Sequence, residues 1–396
     1  MAEFGTTAHR LTAATESLDP PLAALDLPAM TRNAHDLVRR AGGVPIRVAS
    51  KSVRCRAVLE RVLAMDGFAG VMAYSLAEAI WLSRGGVSDI LVGYPTALRG
   101  SLVELASDAG LVGAITVMID DVAQLEFIAA TIAGAKARAG AALPPIRICL
   151  DIDASLRVGK AHLGVRRSPI RTPDQAAALA RDAVRLGFVV VGVMFYEAQI
   201  AGLPDSSPAV RVVKRRSAQE LAIRRSAVVA AVRATGIELE FVNSGGTGSL
   251  EISAEDPAVT EVTAGSGLYA STLFDGYDAF NPDPAMFFAL PVVRRPTRDI
   301  ATLFGGGYIA SGPTKKSRQP LPVEDGFALL GTEGAGEVQT PLRGPSAELL
   351  RVGDRVWLRH AKAGELLERF DRVHLVQGSS VVQTVPSYRG EGQNFG

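Results

Sequence analysis

Between residues 21 and 275, short apolar runs alternate with helical stretches, and no other feature restricts the fold as strongly. Strands are predicted at 22–27, 46–50, 70–73, 90–92, 114–119, 146–152, 189–195, 238–242 and 261–264. Between them lie helix-like segments at 31–41, 54–65, 76–84, 123–137, 174–186 and 217–235. Eight or so β-α repeats in about 255 residues fit the length of a (β/α)8 barrel. A doubly wound open sheet is the runner-up, but it does not need so many repeats.

After Tyr277 the pattern changes. Asn281-Pro282-Asp283-Pro284 interrupts it, and short alternating runs follow at 287–293, 300–303, 327–330, 347–350, 355–358 and 372–376. Separated by Gly, Pro and Asp turns, these read as an all-β domain. The expected architecture is therefore α/β: a TIM-type (β/α)8 barrel followed by a C-terminal all-β domain. Residues 1–20 form an N-terminal arm, 21–280 the barrel and 281–396 the β domain. The closing stretch from Pro386 to Gly396 is either a frayed tail or a segment that folds over a site.

Composition excludes some partners. A net charge of +1 with no extended basic stripe argues against nucleic acid or a membrane surface. Lys214-Arg215-Arg216 and Arg224-Arg225 read as a solvated helix face. No apolar run approaches the roughly 20 residues that span a bilayer. The first twenty residues lack the pattern of a signal peptide. Cys55 and Cys149 are too few for a disulfide framework, so a cytoplasmic protein is expected. The five histidines form no spaced ligand pair, and no metal site is expected.

Two features carry chemistry. Lys51 ends the apolar run Pro45-Ile46-Arg47-Val48-Ala49-Ser50-Lys51. An amine partly withdrawn from water there has its pKa lowered and becomes a nucleophile for a carbonyl or an aldehyde cofactor. The alternative is a lysine that snorkels from a strand end into water. The second feature, Asn243-Ser244-Gly245-Gly246-Thr247-Gly248-Ser249, follows a strand-like run. Its glycines let backbone N–H groups converge on an anion, although a turn with no ligand has the same look. The spacing fits neither a P-loop nor a dinucleotide fingerprint, which ranks a small phosphorylated cofactor above a nucleotide.

A strand-end lysine, a later Ser-Gly-Gly-Thr-Gly turn, the segment Glu261-Val262-Thr263-Ala264-Gly265-Ser266-Gly267 and a C-terminal β domain together resemble a known class. The chain resembles the fold-type III pyridoxal phosphate enzymes, the alanine racemase superfamily, over roughly residues 20–385. Within it the D-threonine aldolase and D-serine dehydratase branch is the most similar. The resemblance implies pyridoxal 5'-phosphate as cofactor, attached to Lys51 as a Schiff base. It implies phosphate contacts from Ser244, Gly245, Gly246, Thr247 and Gly248, with Ser266 and Gly267. Arg157 falls where the branch places a polar group over the cofactor face, or else forms a barrel-top salt bridge. Tyr196 matches a strand-end tyrosine that positions the ring or carries a proton. A homodimer is implied as well.

The departures bear on the reaction. Branch members carry His-Gly in one β-domain segment and Pro-Asn-His-x-Cys in another, together a divalent metal site. Here the counterparts read His360-Ala361-Lys362-Ala363-Gly364-Glu365 and, after His374, Gln377-Gly378-Ser379-Ser380-Val381. Val385-Pro386-Ser387-Tyr388-Arg389 restores neither His nor Cys. Glu197-Ala198-Gln199 follows Tyr196 where relatives end in Gly-His, and Ala49 stands where relatives carry a His before the lysine. Lys362, His360, Tyr388 and Arg389 are the candidates to replace the metal. The expected function is a pyridoxal phosphate-dependent lyase acting on a β-hydroxy amino acid, of D configuration, by aldol cleavage or dehydration. The alternatives are an amino acid racemase or epimerase, using Tyr196, Tyr269 or Tyr308 opposite Lys51, and a cofactor-binding protein with little turnover.

Overall fold

The computed structural model describes residues 2–138, 144–313 and 315–396. The chain forms two compact units: Leu37–Ser50, Glu60–Gly265 and Phe395–Gly396 make one, and Met1–Asp36, Lys51–Leu59 and Ser266–Asn394 the other.

The first unit is a closed barrel of eight parallel strands. In chain order these are β1 (Ile46–Ala49), β2 (Phe68–Ala73), β3 (Ile90–Val92), β4 (Ile115–Ile119), β5 (Arg147–Ile152), β6 (Val189–Phe195), β7 (Phe241–Ser244) and β8 (Glu261–Ala264). β8 closes the ring by pairing with β1, Val262 opposite Ile46 and Ala264 opposite Val48. Helices cover the outer faces of the strands, as their local signals direct. Ser75 caps Leu76–Arg84, and Thr172 with Gln175 forms a capping box ahead of Pro173–Arg185.

Leu91, Met118, Cys149 and Phe241 of β3, β4, β5 and β7, with Val191 and Met194 of β6, pack together with Met72 of β2. Side chains alternate along a strand, so these residues mark the inward face. At the strand starts the interior is ionic. Arg47 donates to both oxygens of Glu261 at 2.8 Å and to Asp89 at 2.9 Å. Burial works against the charge on Arg47, and the two carboxylates outweigh it and hold the guanidinium above its usual range.

The second unit is built on a nine-stranded, mostly antiparallel sheet. Its main path runs 328–329, 339–343, 300–304, 286–297, 22–26, 372–377, 380–386, and 355–359 pairs with both 286–297 and 321–322. Among the described residues the one parallel pairing there joins Leu22–Asp26 to Arg372–Gln377. This differs from the sequence reading, which put 22–27 in the barrel. Ala23 to Asp26 pair with Val373 to Val376 instead, so Lys51 follows the first barrel strand and the glycine turn the seventh. The predicted strand at 347–350 is also replaced: Pro345–Leu349 is a 3-10 turn entered through Gly344 at φ 152°. The core of this unit joins Leu11 of helix Ala2–Ala14 to Leu22, Phe287, Val323, Trp357 and Val376.

Candidate active site

β1 stops at Ala49, and Ser50–Ser52 turn as a 3-10 helix that carries Lys51. The Ser50 hydroxyl donates to the Met72 carbonyl at 3.0 Å and ties the turn to β2. The Lys51 carbonyl accepts from Arg54 Nε at 3.2 Å. Gly364 lies against the same carbonyl with φ +79°, where an added Cβ would stand 1.8 Å from Lys51 O. Glycine alone suits that position, in both conformation and space. One expectation is corrected: the Lys51 side chain is exposed, because the 3-10 turn carries it past the end of its apolar strand.

The turn after β7 is bent at Gly245, φ +91°. Gly246 has no room for a side chain, since a Cβ would reach within 2.9 Å of Ala201 and 3.5 Å of the Tyr196 ring. The structure thus brings Tyr196 and the glycine turn together. Behind the turn lies Glu197, fully buried. It accepts from Ser244 Oγ (3.0 Å), Gly245 N–H (3.3 Å), Ser249 Oγ (2.8 Å) and Ser253 Oγ (2.5 Å). Arg225 donates to Ser244 Oγ at 2.8 Å and pairs with Asp256. Arg40 donates to the Thr247 carbonyl at 2.7 Å and pairs with Glu251. Ser266 and Gly267 open the helical turn Ser266–Tyr269, just past the end of β8.

Arg157 is placed in the hairpin of Leu156–Val158 and Ala161–Leu163, half exposed, with Nη2 2.7 Å from Asp153. Arg171 also reaches Asp153, at 3.3 Å. Burial would raise the Asp153 carboxyl, but bonds from Ser155 and the Arg157 guanidinium hold it below its ordinary value. The barrel-top salt bridge is therefore what Arg157 makes. The cation beside Tyr196 is Arg167, whose guanidinium sits 5.3 Å from that ring and 5.5 Å from the Tyr94 ring.

Asp151 was not anticipated. The inward face of β4 and β5 runs from Met118 and Cys149 to Asp120 and Asp151, and Tyr196 follows Met194 in the same way. Burial, then the neighbouring Asp120, pushes the Asp151 carboxyl up to about 7, with Arg167 opposing. Its signal in the sequence was a carboxylate inside an apolar strand, Leu150-Asp151-Ile152.

Of the side chains expected to stand in for the branch's metal, His360 is buried, and burial and then Arg359 hold its imidazole down to about 3. Tyr388 is buried with its backbone N–H on the Arg54 carbonyl at 2.9 Å, and Arg389 pairs with Asp371 at the surface. The Lys362 ammonium lies 3.3 Å from Ser311 Oγ. His374 Nδ1 lies 2.9 Å from Thr384 Oγ1. Among the described residues, no three His, Cys, Asp or Glu side chains gather as a metal-holding group. Tyr269 is buried and donates to the Val53 carbonyl at 2.9 Å.

No protein-family model matches the chain. It is 27% identical over 301 residues to a D-threonine aldolase of Arthrobacter sp., covering 73% of this chain and 72% of the relative. It is 25% identical over 253 residues to the 3-hydroxy-D-aspartate aldolase of Paracoccus denitrificans (strain Pd 1222), covering 63% and 60%. Its homologues are aldolases of D-configured β-hydroxy amino acids. Solved structures extend the likeness in fold. The D-threonine aldolase of Filomicrobium marinum superposes with a TM-score of 0.77 at 22% identity, covering 94% of this chain and 96% of the other. The D-threo-3-hydroxyaspartate dehydratase of Delftia sp. HT23 gives 0.74 at 21%, covering 94% and 98%. An alanine racemase-like protein of Idiomarina loihiensis gives 0.69 at 16%, covering 93% and 96%. The barrel with its mixed sheet is the alanine racemase-like fold. No helix among the described residues is long and apolar enough to cross a membrane.

Proposed function

We propose that this protein is a pyridoxal phosphate-dependent lyase that cleaves or dehydrates a D-configured β-hydroxy amino acid, working as a homodimer in the cytoplasm. The observation that carries the reading is topological. In a chain homologous to D-threonine aldolase, the strand leading to Lys51 and the strand leading to the glycine turn flank β8 and end at the same mouth of one barrel. Active sites of such barrels are built at the C-terminal ends of the strands.

The residues present suit the cofactor. Gly245, at φ +91°, and Gly246, where a Cβ would meet Ala201 at 2.9 Å, give a turn without side chains, whose bare backbone allows an anion close approach to the N–H groups that follow it. Residues 244–248 with Ser266 and Gly267 would hold the phosphate, Lys51 would carry the aldehyde carbon, and Tyr196 would flank the ring. When bound, the cofactor takes up the electron pair left at the substrate's α-carbon as a bond there breaks.

The rest of the chemistry belongs to the chain. The Lys51 amine would hold or return a proton at the substrate's α-carbon. Aldol cleavage needs a base for the β-hydroxyl proton, and dehydration needs an acid for the departing hydroxyl. An absorption spectrum before and after borohydride, with the adduct mapped by mass spectrometry, tests the attachment. Lys51→Ala is expected to lose both the adduct and activity, and a normal adduct in that variant would overturn the assignment of Lys51. Glycine and acetaldehyde formed from D-threonine identify an aldolase. A keto acid and ammonia from D-serine identify a dehydratase. A protein that cannot take up pyridoxal phosphate would overturn the reading.

A further inference from the structure

The glycine turn contains more hydrogen-bond donors than an anion can use, and Glu197 decides which of them face it. An ionised carboxylate only accepts, so every group that meets Glu197 must point a proton at it. Two relays end there. Gly246 N–H donates to Ser249 Oγ at 3.1 Å, and that hydroxyl donates to Glu197. Arg225 donates to Ser244 Oγ at 2.8 Å, and that hydroxyl has two acceptors at 3.0 Å, Glu197 and the Phe195 carbonyl, both on the strand end behind the turn. Gly245 N–H and the Ser253 hydroxyl reach the same carboxylate directly. The donors of Ser244, Gly245 and Gly246 are thereby turned to the back of the turn.

We infer that Glu197 is a positioning residue that divides the proposed phosphate set in two: Ser244 to Gly246 are the brace, and phosphate recognition falls to the rest of it, Thr247 and Gly248 with Ser266 and Gly267. This rests on the proposed cofactor and refines which residues meet it. The carboxylate acts through backbone geometry and hydroxyl polarity and touches no cofactor atom itself. Gln in its place brings an NH2 group that faces donors, which leaves part of the network unmade and the turn free to take other shapes.

The test compares Glu197→Gln, Ser253→Ala, Ser244→Ala and Gly248→Pro with the parent protein by titration with pyridoxal phosphate and with pyridoxal. Glu197→Gln is expected to bind pyridoxal phosphate at least about tenfold more weakly, as loss of bonds to a charged group implies, while pyridoxal affinity is unchanged. A merely structural role would weaken both ligands alike. Ser253→Ala, a milder change that leaves the strands intact, is expected to move in the same direction. Ser244→Ala is expected to retain more affinity than Gly248→Pro, which removes an N–H from the recognition half. Equal affinity for pyridoxal phosphate in Glu197→Gln, Ser253→Ala and the parent would overturn the inference, as would greater loss with Ser244→Ala than with Gly248→Pro. A parent protein that binds no pyridoxal phosphate would instead remove the proposed function.

Discussion

Two buried groups make this protein respond to acid in opposite senses within one pH window. The His360 imidazole lies in the mixed-sheet unit with its pKa lowered to about 3 by burial and then by Arg359. The unfolded chain takes up this proton below about 6.5, so His360 costs stability progressively as the pH falls from there toward about 3. The Asp151 carboxyl lies in the barrel, raised to about 7 by burial and then by Asp120. The unfolded chain releases this proton above about 3.9, so Asp151 costs stability progressively as the pH rises from there to about 7. Between about pH 7.5 and about pH 5 each contribution changes by about 2 kcal/mol, at about 1.4 kcal/mol per pH unit of linked protonation, and they nearly cancel. The test is the urea midpoint of His360→Leu and Asp151→Asn, each as a difference from the parent protein at several pH values. Relative to the parent, His360→Leu is expected to gain about 2 kcal/mol on acidification over that range, and Asp151→Asn to gain about as much on the return. Differences that stay flat with pH for both variants would refute the linkage.

Gly364→Ala should bring a Cβ within 1.8 Å of the Lys51 carbonyl at a φ of +79°. The left-handed backbone and the overlap together are expected to cost about 2–5 kcal/mol. Gly378→Ala is the control: at φ +60° with nothing within 4 Å, it should lose only the conformational part, so equal melting temperatures for the two variants would refute the contact. Activity is expected to survive strong chelators, because the His-Gly and Pro-Asn-His-x-Cys segments of relatives are replaced here. Loss with EDTA, restored by manganese or zinc, would show a ligand set elsewhere in the chain.

Much of the fold was written in local pattern. Leu76–Arg84 is helical over the residues its periodicity and Ser75 cap mark, and eight of the nine apolar runs between residues 22 and 264 supply the barrel. The run at 22–27 went elsewhere because a strand buried on both faces reads alike in any sheet. Its place is set by pairing with Met286 to Ala289 and Val373 to Val376, hundreds of residues away. Gln339–Arg343 and Ser380–Pro386 were missed because polar residues interrupt the apolar alternation, exposed in Ser380–Pro386 and, in Gln339–Arg343, including the buried Thr340. In the site, Lys51 and the glycines were legible because each is a residue type with a special property. Glu197 was not, since the donors that give it meaning lie 47 to 56 residues further along the chain.

The buried charges of the barrel share one purpose. Arg225 with Asp256, Arg40 with Glu251 and Glu197 with its serines each fix a point on the turn after β7, and Arg47 with Glu261 fixes the start of β8 beside it. Burying an ion is costly unless its remaining donors and acceptors are met, and an apolar pair would fill the same space more cheaply. What an apolar pair cannot do is fix the direction of a backbone N–H or a hydroxyl proton. A turn that presents N–H groups to an anion in one geometry, as proposed here for the phosphate, gains from being held so before the anion arrives. Removing one partner then strands the other, at about 3–5 kcal/mol for a buried pair, and loosens the turn at the same time. On the proposed function, stability and recognition are therefore carried by the same side chains, and substitutions in this group should lose both together.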